Sequence, residues 1–242
     1  YDTIICVSHE QLIKEAKSVE LMLQGRVDGF IISLSTETLS KQDFLHLDQI
    51  SLNKKSLVLF DRTTSEIDCD KVVINDQKSI YDATRILISK KKTKIAFVSS
   101  IENLPIGLLR KGGYQKALID HGFEPNPDLE LDLTGSSQPH SLIKAFLSLH
   151  EFDAVISADN TSSLMFQSIV KSEKPEMMDE IMLIGFSDEK NALLSYPRIN
   201  YIDQKAMKIG EKAAEMLIKR IESKDVKDKP VTFEMPYEIH IS

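Results

Sequence analysis

Apolar residues recur along this chain in two alternating forms: short unbroken runs, and longer stretches where they return every three or four positions. Short runs occupy residues 3–7 (TIICV), 29–34 (GFIISL), Ser56–Phe60 (SLVLF), 72–74 (VVI) and 94–98 (KIAFV), each bounded by polar residues. Runs of this length, rich in Ile and Val, read as buried strands. The same pattern predicts strands at residues 129–133, Ala154–Ser157 and 182–185, then two more at residues 231–234 and 238–241.

Helical spacing fills the intervals. Ser8 with Gln11 three residues on makes a capping-box pattern; Leu12, Ala16, Val19 and Leu23 follow on one face, and Gly25 ends the helix. Asp76 is placed to cap a helix carrying Ile80, Ala83 and Leu87, while Tyr114, Ala117 and Leu118 mark another that closes at Gly122. Residues 141–149 and 162–171 read as helices. Residues 205–222 form a longer one, with Ile209, Ala213, Leu217 and Ile221 as a stripe opposite Lys208, Glu211, Lys212, Glu215 and Lys219. Strand and helix in alternation imply an α/β fold with parallel sheets and right-handed crossovers. The rhythm breaks near residues 99–108, where Pro105 and Gly107 interrupt, and near residues 196–204; there the chain is expected to cross between two lobes.

Composition narrows the class. A chain of 242 residues with 42% hydrophobic and 28% charged residues can bury one large core or two small ones. No apolar stretch approaches the length of a membrane span. Cys6 and Cys69 are the only cysteines, which points to a reducing compartment, the cytoplasm, rather than a disulfide scaffold. The net charge is −7, and duplex binding depends on Lys and Arg neutralising phosphates, so these residues are not themselves a DNA reader.

Catalytic patterns are missing. The six histidines lack metal-ligand spacing, and neither GxSxG, a Walker A loop nor GxGxxG occurs. The SxxK matches at Ser51 and Ser141 have no companion motifs, and Lys90, Lys91, Lys92 and Lys94 read as a solvated loop. The expectation is a binding module with no catalytic residue, metal or cofactor. Its candidate ligand residues stand where strands end: Asp61-Arg62, Ser99-Ser100, Asp159-Asn160, Ser187-Asp188 and Asp203-Gln204. Ligands of open α/β sheets bind beyond the carboxyl ends of strands. Any one of these residues reads equally as a helix cap, Asp76 and Asp159 above all, but the recurrence points to a cleft. Arg110 is expected in the first turn of its helix, where the dipole disfavours a cation. Its planar fork suits carboxylates, phosphates or vicinal hydroxyls, and a salt bridge to a neighbouring carboxylate would satisfy it as well.

Several segments resemble a known family in order. Residues 27–32 (VDGFII), 57–62 (LVLFDR) and 73–76 (VIND) are similar to successive strand signatures of LacI/GalR transcription regulators. Arg110-Lys111-Gly112-Gly113-Tyr114 with Ala117-Leu118 resembles their R-x-x-G-(F/Y)-x-x-A-L helix, and residues 184–188 (IGFSD) their G-F-D-(D/N) element. Gln204 with Ile209-Gly210 and Ala213-Ala214 resembles the signature of their final helix. The resemblance implies a two-lobed, periplasmic-binding-protein-like fold, each lobe a Rossmann-like parallel-sheet sandwich. Its first subdomain would comprise residues 1–101 and 205–226, its second residues 102–204 and 227–242.

It further implies a repressor-type effector domain that binds a small sugar-like molecule between the lobes, with Arg110, Asp61, Gln204, Ser187, Asp188 and Asp159 as contacts. Operator DNA would be read by a headpiece outside this chain, in a homodimer and away from membranes. Ser187 stands where the family usually has an effector-binding Asp, Ala158 where some members place a polar residue, and Asn200-Tyr201 replaces the usual Thr-Thr. Residue 1 opens in what resembles the second strand, so a DNA-binding headpiece and a first βα unit are expected upstream in the natural polypeptide. The alternative is a secreted solute receptor of a transport system, which shares this fold.

Overall fold

The computed structural model describes residues 1–25, 27–178, 180–196, 198–223 and 229–241. Along the chain run α1 (Leu12–Gln24), β1 (Gly29–Ile32), α2 (Thr36–Lys41), α3 (Leu45–Leu52), β2 (Ser56–Phe60) and β3 (Asp70–Val73). Then follow α4 (Asp76–Ser89), β4 (Ile95–Ser99), α5 (Pro105–Asp120), β5 (Glu130–Asp132), α6 (Pro139–Leu149), β6 (Ala154–Ser157), α7 (Asn160–Glu173), β7 (Met182–Phe186), α8 (Glu189–Leu194) and β8 (Asn200–Asp203). The chain ends with α9 (Ala206–Glu222), β9 (Thr232–Glu234) and β10 (Glu238–His240). The α/β alternation is as the periodicity predicts.

The chain folds into two units, Tyr1–Ile74 with Ala206–Met235, and Asn75–Lys205 with Pro236–Ser242. The first unit holds a parallel sheet in the order β1-β2-β3-β9. Its buried residues are Leu57, Val58, Leu59 and Val72 of the strands, Val19, Leu47 and Ile50 of α1 and α3, and Ile209, Ala213 and Leu217 of the α9 stripe, with α3 and α9 packed on β2. The second holds a sheet in the order β10-β8-β7-β6-β4-β5, parallel except at the edge, where β10 runs antiparallel to β8. Ala96, Val98, Ile143, Phe146, Val155 and Phe166 fill its main core.

The first boundary differs from the expected one. The strand at β4 hydrogen-bonds to β5 and β6, so residues 75–101 stand with the second unit, and the chain crosses at Ile74–Asn75 rather than after residue 101. The second crossing, Lys205–Ala206, falls one residue from the expected position, and the expected division at residues 226/227 lies outside the described residues. β9 belongs to the first sheet, so that the third crossing is Met235–Pro236.

Residues 3–7 are also a correction: they form no strand, and Ile4, Ile5 and Val7 are exposed. Strand propensity needs a partner edge, and β1, the edge strand of its sheet, pairs only with β2 among the described residues. Ser8 does not cap α1, which starts at Leu12 with its first amide held by the Glu37 carboxylate at 2.8 Å.

Glu15 ties three helices of the first unit together. Its buried carboxylate accepts from the Ser35 amide (2.6 Å), the Thr38 hydroxyl (2.8 Å) and His46 Nε2 (2.8 Å). Burial alone would raise its pKa; hydrogen bonds from His46, Thr38 and Ser35 outweigh that and hold it below the usual range.

Candidate functional site at the carboxyl rim of the six-stranded sheet

The second unit gathers most of the candidate residues at one edge, where β4, β6, β7 and β8 end. Helices α4 and α5 reach it through an unusually close approach. A Cβ on Gly113 would stand 2.1 Å from the Gln77 carbonyl oxygen, so only glycine lets the backbones meet there. One turn earlier on α5, Arg110 consequently faces the first residue of α4, Asp76.

Arg110 is 4% exposed and held on all sides. Its Nε donates to Asp76 Oδ1 at 2.7 Å, Nη2 stands 2.6 Å from the same oxygen, and Nη1 donates to the Ala158 carbonyl at 2.7 Å. The Phe186 ring lies under the guanidinium, centroid to Cζ 3.6 Å. This is a buried ion pair roofed by a cation–π contact, with the rest of the fork available as a hydrogen-bond donor.

Two expectations change here. Arg110 sits in the second turn of its helix, because α5 begins at Pro105. Proline fits a first helical position, and Gly107 is helical too: a Cβ there would meet the Ile101 carbonyl at 1.9 Å. Asp76 is not the cap of α4; Asn75 fills that role, accepting from the Lys78 amide at 3.0 Å, and Asp76 is left to face Arg110.

The other rim residues are placed as follows. Asp159 caps α7 and accepts from the Ser162 amide and hydroxyl (both 2.8 Å), the Ser100 amide (2.9 Å) and the Ser100 hydroxyl (2.8 Å). Asp188 caps α8, accepting from the Asn191 amide (2.8 Å) and side-chain amide (2.9 Å). Ser187, one residue past Phe186, has a buried Oγ with no hydrogen-bond partner. Gln204 is partly buried just beyond β8.

Asp61 belongs to the first unit, at the carboxyl end of β2. Its backbone is left-handed (φ 56°), a conformation Asp tolerates better than most residues, and its amide donates to the Val72 carbonyl at 3.0 Å. Sequence reasoning missed Asp76 and Phe186 as parts of the rim. The available signal was two Asx residues in succession after β3, only one of which a cap can use. Among the described residues, no group of three or more His, Cys, Asp or Glu is placed to hold a metal ion, and no helix is long and apolar enough to cross a membrane.

Comparison with known proteins agrees with this architecture. Residues 3–239 match the family described as periplasmic binding proteins and sugar binding domain of LacI family. The chain is 28% identical over 233 residues to the HTH-type transcriptional regulator RegA of Clostridium saccharobutylicum, covering 95% of this chain and 68% of RegA. Among solved structures, the transcription regulator CcpA of Lactococcus lactis superposes with a TM-score of 0.85 at 20% identity, covering 100% of this chain and 86% of that one. A complex of the transcriptional regulator CelR with cellobiose gives a TM-score of 0.81 at 19% identity, covering 96% and 70% respectively. These likenesses to solved structures carry the fold, and the family match carries the kinship: the chain belongs to the family of periplasmic binding proteins and LacI sugar-binding domains, as an effector domain of the LacI-regulator type.

Proposed function

We propose that this chain senses a small sugar-like effector and that occupancy controls DNA binding by a helix-turn-helix regulator. The observation that carries the reading is the match of residues 3–239 to the family of periplasmic binding proteins and LacI sugar-binding domains, beside the likeness to HTH-type transcriptional regulators. The rim supports it physically. Ser187 Oγ is a buried hydroxyl lacking a partner, the Arg110 fork retains N–H donors, and Gln204 offers both donor and acceptor, which together suit a polyhydroxyl ligand. Asp159 and Asp188 border the same edge.

The effector acts by binding one arrangement of the regulator more tightly than another, since equal affinity for both would shift nothing. The regulator works as a cytoplasmic homodimer with a headpiece reading the operator. A thermal-shift panel of neutral mono- and disaccharides, cellobiose among them, tests the ligand class. Stabilisation that Arg110→Ala abolishes is expected, and a hit indifferent to that substitution removes Arg110 from the site. Operator affinity of the full-length regulator, measured with and without the hit, tests the coupling; identical affinities overturn it.

A further inference from the structure

The ionic groups of this rim are already engaged with one another, and that bears on the charge of the ligand. Arg110 faces Asp76 at 2.6–2.7 Å with both side chains under a tenth exposed. Lys205, beyond β8, lies 3.1 Å from Asp203 and 2.7 Å from Glu238, so two carboxylates share one ammonium. Lys111, one residue after Arg110, is shared at 2.8 Å by Glu102 and Glu130. Asp159 and Asp188 accept backbone and side-chain hydrogen bonds and add negative charge.

We propose that Asp76 determines the charge class of the effector: its carboxylate occupies the seat on Arg110 that an anionic ligand would take, so the rim accepts uncharged polyhydroxyl compounds and turns away sugar acids and sugar phosphates. The inference rests on the reading of this rim as the effector site.

The physical case has three parts. A guanidinium in a dry site binds carboxylate or phosphate strongly when no internal anion is present. Here an acid would have to displace Asp76, leaving that carboxylate buried beside a second negative charge, or bind next to it against repulsion. The neighbouring cations Lys111 and Lys205 are each outnumbered by acidic neighbours, so neither offers a spare positive charge. A neutral hydroxyl needs none of this rearrangement, since it accepts from a remaining N–H of Arg110 and donates to Ser187 Oγ without moving the ion pair. The N-terminus of α4 reinforces the arrangement, because the positive end of a helix dipole favours a carboxylate at its first residue.

The test compares three probes of one skeleton, cellobiose, cellobionate and cellobiose 6′-phosphate, on the wild-type protein and on Asp76→Asn, by calorimetry and thermal shift. The wild type is expected to bind cellobiose and neither anion. Asp76→Asn keeps the shape and removes the charge, and its affinity for the two anions is expected to rise about tenfold or more, with cellobiose changed far less. Wild-type binding of either anion as tight as that of cellobiose overturns the inference, whatever becomes of the variant. So does a folded Asp76→Asn protein that gains nothing for the anions. Failure of cellobiose alone, with the anion gain present in Asp76→Asn, supports the role of Asp76 and counts instead against the choice of sugar.

Discussion

At the scale of single residues, the molecule depends on a few ion pairs whose removal has a definite sign. Arg110→Ala takes away the guanidinium that neutralises buried Asp76, so a loss of about 3–5 kcal/mol is expected in urea or thermal unfolding. Asp76→Asn introduced on top of it should recover part of that loss, because the stranded charge goes with it. Glu10 gives a pH signature. Arg62 grips its carboxylate through two nitrogens at 2.7 and 2.8 Å and, with smaller help from the Thr36 amide and hydroxyl, holds its pKa down to about 2. Its contribution is present above the ordinary carboxylate pKa and lost as pH falls from there towards about 2. With the Glu10 carboxylate half-exposed to water, the pair contributes modestly. Unfolding midpoints measured between neutral pH and pH 3 should therefore fall less steeply for Arg62→Met than for the wild type.

At the scale of elements, regular alternation was readable and irregular junctions were not. β2, β6 and the α9 stripe follow directly from periodicity, since a buried run or a 3.6-residue repeat is a local property. The short helices α2, α3 and α8 went unseen because six to eight residues carry too little repeat to separate from a loop. Pro105 and Gly107 looked like a break, yet one fits a helix start and the other makes room for the Ile101 carbonyl. The rim was half legible: polar residues at strand ends marked the edge, but the partner of Arg110 lies 34 positions away, and no local pattern encodes that pairing. The α4–α5 contact yields its own expectation. Gly113→Ala places a methyl 2.1 Å from the Gln77 carbonyl and should push the helices apart, costing about 1–3 kcal/mol. Equal or greater stability in that variant would refute the close approach. Removing the Glu37 carboxylate from the start of α1 by Glu37→Ala should lower the unfolding midpoint, as the loss of a helix cap does.

At the scale of the whole molecule, the edge of β1, unpaired among the described residues, and the exposed apolar run of residues 3–7 lie in the same unit. Open strand edges and exposed Ile and Val both favour association between chains. Concentration-dependent light scattering is expected, and Ile5→Lys should reduce it without lowering the unfolding midpoint. The division of the chain also sets an order in time. Residues 95–203 encode β4 through β8 without interruption, so nearly all of the six-stranded sheet leaves the ribosome while α9 and β9 are still unmade. β1, β2 and β3 are synthesised before any of that, and α3 is there to pack on β2, yet α9, which packs on all three strands, arrives only after residue 205. The α9-facing side of Val58 and Leu59 therefore stays uncovered until β4 through β8 have been made, which makes the smaller sheet the last to finish folding and the natural client of a chaperone.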